Sequence, residues 1–114
     1  MAKCRVIADW QASYENPFAV EKGEEFWLSG KSENWDGHIW LWAKDARGRE
    51  GWVPDNLAGH HSEKIYAKFD FSALELTCIR DEELQIIDET HGWILCRNND
   101  GQQGWVPAWN LSKT

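Results

Sequence analysis

Short apolar runs separated by turn-forming residues set the pattern of this chain. The runs are brief and rich in aromatic or β-branched side chains, which favours β-strands over helices. In the first half they are Val6–Ala8, Glu25–Leu28, Ile39–Ala43 and Gly51–Val53. In the second half they are Ile65–Phe69, Leu84–Ile87, Trp93–Arg97 and Gly104–Val106. The pattern predicts an all-β protein, with Arg47-Gly48 and Asp100-Gly101 supplying hairpin turns.

The run pattern occurs twice. Residues 40–54 and 93–107 align without a gap, and both read W…G-x-x-G-W-V-P with six identities in fifteen positions. Weaker matches align 8–12 with 69–73, and 24–28 with 82–86. A repeat of roughly 50 to 60 residues is near the lower size limit for a domain with its own core. We therefore predict one domain at 1–58, a short linker at 59–63 and a second domain at 64–114.

Six apolar positions are predicted to form the cores of these domains: Val6, Val20, Leu28, Val53, Ile86 and Val106. The three cysteines are an odd number without a C-x-x-C pair, so a disulfide framework is not expected. The pattern favours a reducing compartment, and we expect a cytoplasmic protein.

Charge narrows the choice of partners. The net charge is −7, and both halves are acidic, with seven basic against ten acidic residues in 1–61 and five against nine in 62–114. Such a chain repels a phosphate backbone, which argues against nucleic acid, and it attracts a basic peptide. No apolar run approaches the length of a membrane span, and the start carries no signal-peptide core.

Motifs for catalysis or cofactor binding are missing from the sequence. It contains no nucleophile elbow, H-E-x-x-H, phosphate-cradling glycine loop or dinucleotide fingerprint, so no enzyme and no cofactor is predicted. The four histidines and three cysteines lack zinc-site spacing, and no metal is predicted.

Four motifs follow one another in each repeat. Repeat 2 has A-K-F-D-F-S-A at 67–73, E-L-T-C-I-R-D-E-E-L-Q-I at 75–86, G-W-I at 92–94 and G-Q-Q-G-W-V-P at 101–107. Repeat 1 has counterparts at 8–12, 17–28, 40–41 and 48–54. In this order the motifs resemble those of the Src-homology-3 (SH3) domain. The resemblance implies two tandem SH3-like five-stranded small barrels, and it covers nearly the whole chain. It also implies that Cys78 and Cys96 occupy core positions of the family, where buried thiols are inert.

The SH3 resemblance also implies a shallow aromatic groove that binds proline-rich polyproline II segments. In repeat 2 the groove positions are Phe69, Phe71, Trp93, Trp105, Pro107 and Asn110, with Trp109 beside the last. In repeat 1 they are Ala8, Trp10, Trp40, Trp52, Pro54 and Leu57. The acidic loop that reads a basic ligand residue keeps Glu75 in repeat 2, whereas repeat 1 has Glu15 and carries Pro17 where the family has an acid.

Both repeats lack the two tyrosine hydroxyls that bind ligand carbonyls in the family, and repeat 1 has also lost two rings. Three functions are therefore open. The first is an adaptor-like module binding extended peptides, with proline-rich or basic sequences as candidates and repeat 2 as the preferred site. The second is a rigid tandem assembly module with occluded grooves. The third is a bacterial SH3-like cell-wall binder, which requires export. Indole rings that solvent can reach are expected of the adaptor-like module, whereas most indole rings would be hidden in the occluded assembly module.

Overall fold

The computed structural model describes residues 2–13 and 15–113, and it confirms the all-β prediction. Its strands, in chain order, are β1 (Lys3–Val6), β2 (Ala19–Val20), β3 (Glu25–Trp35), β4 (His38–Lys44), β5 (Glu50–Pro54), β6 (Ala58–His61), β7 (Lys64–Ala67), β8 (Phe71–Ser72), β9 (Glu83–Thr90), β10 (Trp93–Arg97), β11 (Gln103–Pro107) and β12 (Leu111–Lys113). Single turns of 3₁₀ helix lie at Asp55–Leu57 and Ala108–Asn110. Within the described residues no helix is long and apolar enough to cross a membrane.

The chain folds into two compact units that do not coincide with the two sequence repeats. The single-segment unit is Asn16–Ala73. The two-segment unit combines Met1–Glu15 with Leu74–Thr114. The chain therefore leaves the two-segment unit after residue 15 and returns to it at residue 74, which differs from the predicted boundaries of 1–58 and 64–114.

Both units contain a five-stranded antiparallel sheet with the same order. In the two-segment unit the order is β11-β10-β9-β1-β12, and in the single-segment unit it is β5-β4-β3-β7-β6. The paired strands β2 and β8 form an additional ribbon in the single-segment unit. The matching orders show that each unit is a complete small barrel, in agreement with the predicted fold class.

The opening strands of the two repeats are exchanged. Strand β1 of repeat 1 pairs with β9 and β12 of repeat 2, placing Cys4 opposite both Leu84 and Lys113. Strand β7 of repeat 2 pairs with β3 and β6 of repeat 1, placing Tyr66 opposite Glu25 and Gly59. Each barrel is thus built from one repeat and completed by the first strand of the other.

The predicted linker lies inside the single-segment unit. Residues 59–61 belong to β6, and Ser62 and Glu63 form the turn into β7, with φ of 49° and 65°. Two consecutive residues with positive φ are typical of a type I′ turn, whose twist suits an antiparallel hairpin. The structure differs from the prediction here because the repeats are joined by a hairpin turn and not by a spacer.

Each unit buries its own apolar core. In the two-segment unit the core comprises Cys4, Val6, Leu76, Cys78, Leu84, Ile94, Cys96, Val106 and Leu111. In the single-segment unit the buried side chains include Phe18, Val20, Phe26, Ala43, Val53, Leu57 and Ala67. All four predicted core valines are buried, whereas the other two predicted core residues, Leu28 and Ile86, are only half-buried. Cys78 and Cys96 are buried as predicted, and Cys4 joins them through the exchanged strand.

Candidate functional site

Two tryptophans from different repeats form the centre of the surface in the two-segment unit. The rings of Trp10 and Trp93 pack edge to face, with centroids 5.5 Å apart and an interplanar angle of 80°. Trp10 is fixed by two backbone hydrogen bonds with Cys78, each 2.9 Å, while Trp93 begins β10. Both rings are half-buried. The pair therefore presents a defined aromatic surface of the kind that binds peptides.

A carboxylate lies beside this tryptophan pair. Glu75 Oε1 accepts hydrogen bonds from Trp10 Nε1 (3.0 Å), from the Ser13 backbone N–H (3.2 Å) and from Ser13 Oγ (3.1 Å). None of the ion pairs among the described residues involves Glu75. A half-buried carboxylate that is oriented by neutral donors keeps its charge available for a cation.

The backbone around Glu75 is held against β11. Leu76 N–H donates to the Trp105 carbonyl at 3.1 Å, and Trp105 N–H donates to the Leu74 carbonyl at 2.9 Å. Gly104 permits this approach, because a Cβ there would lie 2.7 Å from the Glu75 carbonyl carbon. Glu75 is thus positioned by backbone contacts between its segment and β11.

The closing positions of this surface have different roles. Trp105 and Pro107 are buried. Asn110 is also buried, and its Nδ2 donates to the carbonyls of Ala8 (3.2 Å) and Asp9 (3.1 Å). Asn110 therefore anchors the exchanged segment from within. Trp109, by contrast, is 73% exposed on its 3₁₀ turn.

The corresponding surface of the single-segment unit is filled by its own side chains. Trp35 lies 5.4 Å from Trp40 and 5.5 Å from Trp52, and Trp42 lies 5.0 Å from Trp52. Trp40 is only 5% exposed, and Pro54 and Leu57 are buried. These four tryptophans thus form one aromatic cluster, in which Trp35 remains 38% exposed.

Trp42 of that aromatic group has further contacts. Trp42 Nε1 donates to Glu50 Oε1 at 3.2 Å, and Lys31 Nζ lies 5.4 Å above the Trp42 ring. Phe71 is buried, with its ring 6.4 Å from that of Phe18. Phe69 is partly exposed.

The predicted site residues are therefore divided between the units. The single-segment unit contains Phe69, Phe71, Trp40, Trp52 and Pro54. The two-segment unit contains Trp10, Glu15, Glu75, Trp93, Trp105, Pro107, Trp109 and Asn110. The sequence grouped Phe69 and Phe71 with Trp93, but in the structure it is Trp10 that contacts Trp93. Sequence reasoning also missed Ser13, whose role depends on a partner 62 positions away.

The electrostatics of the two-segment unit favour cations. It carries nine acidic and five basic residues. Among the residues that the structure describes, no group of three or more His, Cys, Asp or Glu side chains is arranged to hold a metal ion. The site can therefore offer aromatic contact and one directed carboxylate, which suits binding of a basic side chain.

The two barrels define a tandem small-β-barrel protein, one unit of which carries this aromatic, acidic surface. Family comparisons give the particular class: the variant SH3 domain model matches residues 3–57, and the SH3 domain model matches residues 66–108. The chain belongs to the SH3 domain family and carries two such domains in tandem. No curated protein and no solved structure matches the chain. SH3 domains are non-catalytic modules that mediate protein–protein interaction by binding peptides.

Proposed function

We propose that this protein is a non-catalytic interaction module whose two-segment unit binds an extended peptide containing a basic residue. The observation that carries the proposal is the Glu75 carboxylate beside the Trp10–Trp93 pair, held by neutral donors and paired with no described cation. The three cysteines are buried and form no disulfide, which supports a reducing compartment, and we propose that the protein is cytoplasmic.

The ligand's basic side chain is expected to pair with Glu75, beside the Trp10–Trp93 pair. A cation over a tryptophan face contributes about 0.5–1 kcal/mol at exposed sites and more when desolvated. A hydrogen bond to a charged group adds about 1.5–3 kcal/mol. The acidic balance of the unit also attracts a basic segment during encounter.

The rest of the ligand is expected to be short. A proline-rich helix needs successive aromatic slots, and this surface has Ala8 at the first opening position and the engaged amide of Asn110 at the closing one. One apolar ligand residue still has the half-buried face of Trp10 and the exposed ring of Trp109 available. We therefore expect a basic residue next to one or two apolar residues to bind better than a proline-rich segment lacking a basic residue.

A second role fits the single-segment unit. Trp40 and Phe71 occupy the family's groove positions and are buried, whereas their counterparts in the two-segment unit, Trp93 and Trp10, are half-buried. A surface filled in this way supports a structural or assembly role for that unit. The hypothesis of an assembly module with an occluded groove therefore applies to the single-segment unit and not to the two-segment unit.

A chemical-shift titration of the intact chain tests both proposals. Three peptides are compared. The first is a proline-rich peptide with a flanking arginine, the second is the same peptide with that arginine replaced by alanine, and the third is an extended arginine-containing peptide without proline. Shifts are expected around Trp10, Trp93 and Glu75 with the two arginine-containing peptides. Shifts confined to residues 16–73 would refute the assignment of the site.

Two variants sharpen the test. Trp93→Ala should abolish the shifts, and Glu75→Gln should weaken binding of the arginine-containing peptides about tenfold or more. Asp88→Asn is the matched control, because Asp88 is an exposed acid on β9 of the same unit. Equal losses in Glu75→Gln and Asp88→Asn would show that only net charge matters.

A further inference from the structure

The turn at Ser62–Glu63 connects the closing strand of repeat 1 to the opening strand of repeat 2. His61 pairs with Lys64 across this turn, so β6 and β7 form a hairpin with no spare residue. In the other barrel the equivalent neighbours, β12 and β1, come from opposite ends of the chain. The hairpin thus closes one barrel directly and leaves the other to be completed by β1.

The length of this turn limits where β7 can go. His61 and Lys64 are three Cα steps apart, which span at most about 11 Å when the chain is straight. The neighbouring position in the same sheet is only about 4.8 Å away. A place in a separate barrel would require the chain to be pulled straight and the last pairs of β6 to be lost.

The packing of Tyr66 against Gly59 also favours the position of β7 beside β6. Tyr66 lies opposite Gly59, and a Cβ at Gly59 would overlap the Tyr66 ring. The equivalent pair in the two-segment unit is Arg5 opposite Ser112. If the strands returned to their own repeats, the Tyr66 ring would have to shift to clear the Ser112 Cβ. Tyr66 therefore fits the strand that carries glycine.

We propose that the two-residue turn fixes which opening segment completes each barrel, and with it the aromatic set of the peptide surface. With the turn as it stands, the surface that contains Trp93 receives Ala8 and Trp10. Without the exchange it would receive Phe69 and Phe71 at the same positions. The part concerning peptide preference rests on the proposed function, whereas the part concerning strand exchange does not.

The test lengthens the turn in the full chain. Six Gly and Ser residues are inserted between Ser62 and Glu63, alone and together with Gly59→Ser, which removes the fit of Tyr66. The matched control inserts the same six residues between Asp36 and Gly37, a turn that joins β3 to β4 in either arrangement. The readouts are ring-proton NOEs and the affinity for the proline-rich peptide with a flanking arginine.

The wild type and the control insertion should show NOEs between Trp10 and Trp93. The lengthened protein with Gly59→Ser should lose them and gain NOEs between Phe71 and Trp93. It should also bind the proline-rich peptide about tenfold more tightly, because Phe69 then supplies a ring at the opening position where Ala8 supplies none. Persistence of the Trp10–Trp93 NOEs in both lengthened proteins would overturn the proposal. A switch of NOEs with no peptide bound by any variant would support control by the turn and overturn the proposed function instead.

Discussion

Trp10 and Trp93 pack edge to face at 5.5 Å although they belong to different sequence repeats. Trp10 reaches this position because β1 lies between β9 and β12, and because its backbone pairs with Cys78. The same contact brings the Trp10 indole N–H to Glu75. One aromatic pair thus joins the exchanged strand to the candidate peptide surface.

We expect Trp10 and Trp93 to be energetically coupled. An edge-to-face pair contributes about 0.5–1.5 kcal/mol beyond area burial, so a double-mutant cycle of Trp10→Leu and Trp93→Leu should give a coupling of that size. The measurement is urea denaturation followed by amide resonances of the two-segment unit. Trp109→Leu should change stability little, since Trp109 is largely exposed. Strictly additive losses for Trp10 and Trp93 would contradict the contact.

Asp45 should make the stability of the single-segment unit depend on acid pH. Its buried carboxylate accepts hydrogen bonds from Ala19 N–H, Arg47 N–H, Arg49 N–H and Arg49 Nε, the last at 2.7 Å. Burial raises the pKa of Asp45, but these hydrogen bonds outweigh burial and hold the pKa below its ordinary value. The stabilisation is therefore complete above the unfolded pKa of about 4 and is lost as pH falls through the lower folded value.

Asp45→Asn should destabilise this unit by about 2–3 kcal/mol at pH 7, because it removes a buried charge from its donors. The difference from wild type should shrink at pH 3 and below. Asn98 occupies the equivalent hairpin position in the other unit, where it accepts from Asp100 N–H and Gln102 N–H. Asn98→Asp is the control and should gain no comparable stability, since position 102 is Gln where repeat 1 has Arg49. Urea titrations at both pH values measure all three proteins, and a pH-independent Asp45→Asn difference would refute this account.

Gly104 and Gly51 should respond differently to the same substitution. A Cβ at Gly104 would lie 2.7 Å from backbone atoms of Glu75 and Leu76, which cannot move without breaking the pairing with β11. At Gly51 the nearest atoms are the side-chain Cβ atoms of Phe18 and Ala73, at 3.3 and 3.4 Å. Overpacking typically costs about 1–3 kcal/mol. We expect Gly104→Ala to reach or exceed the top of that range and Gly51→Ala to stay near the bottom.

The Gly104 substitution should also displace Glu75 and weaken the arginine-containing peptides, whereas Gly51→Ala should leave peptide binding unchanged. Denaturation and the peptide titration measure the two effects separately. Equal destabilisation by both substitutions would argue against the close backbone approach at Gly104.

The three thiols should be unreactive in the folded protein. Burial raises the pKa of Cys4, and it raises the pKa of Cys78 to about 11 and that of Cys96 to about 12. Since the thiolate is the reactive form, a disulfide reagent at pH 8 should label none of them until the two-segment unit unfolds. The labelling rate in native buffer, compared with that in urea, checks this expectation. Rapid labelling of Cys4 alone would show that β1 detaches from its sheet.

Short-range sequence patterns were sufficient to predict much of the fold. Short aromatic and β-branched runs predicted strands, the repeated G-x-x-G-W-V-P motif predicted two similar barrels, and the resemblance to the SH3 domain predicted buried thiols at Cys78 and Cys96. These features were readable because alternation and turn chemistry act over a few residues. The candidate acid, Glu75, could also be singled out, because it lies within a local motif.

Only the tertiary structure decided which opening strand completes which barrel. Segments 8–12 and 69–73 carry the same pattern of apolar, acidic and aromatic residues, so either one suits either sheet by pattern alone. The choice depends on the hairpin geometry of Ser62–Glu63 and on the fit of Tyr66 over Gly59, which are contacts between strands and not properties of a segment. For that reason the pairing of Trp10 with Trp93, and the composition of the candidate site, could not be derived from the sequence.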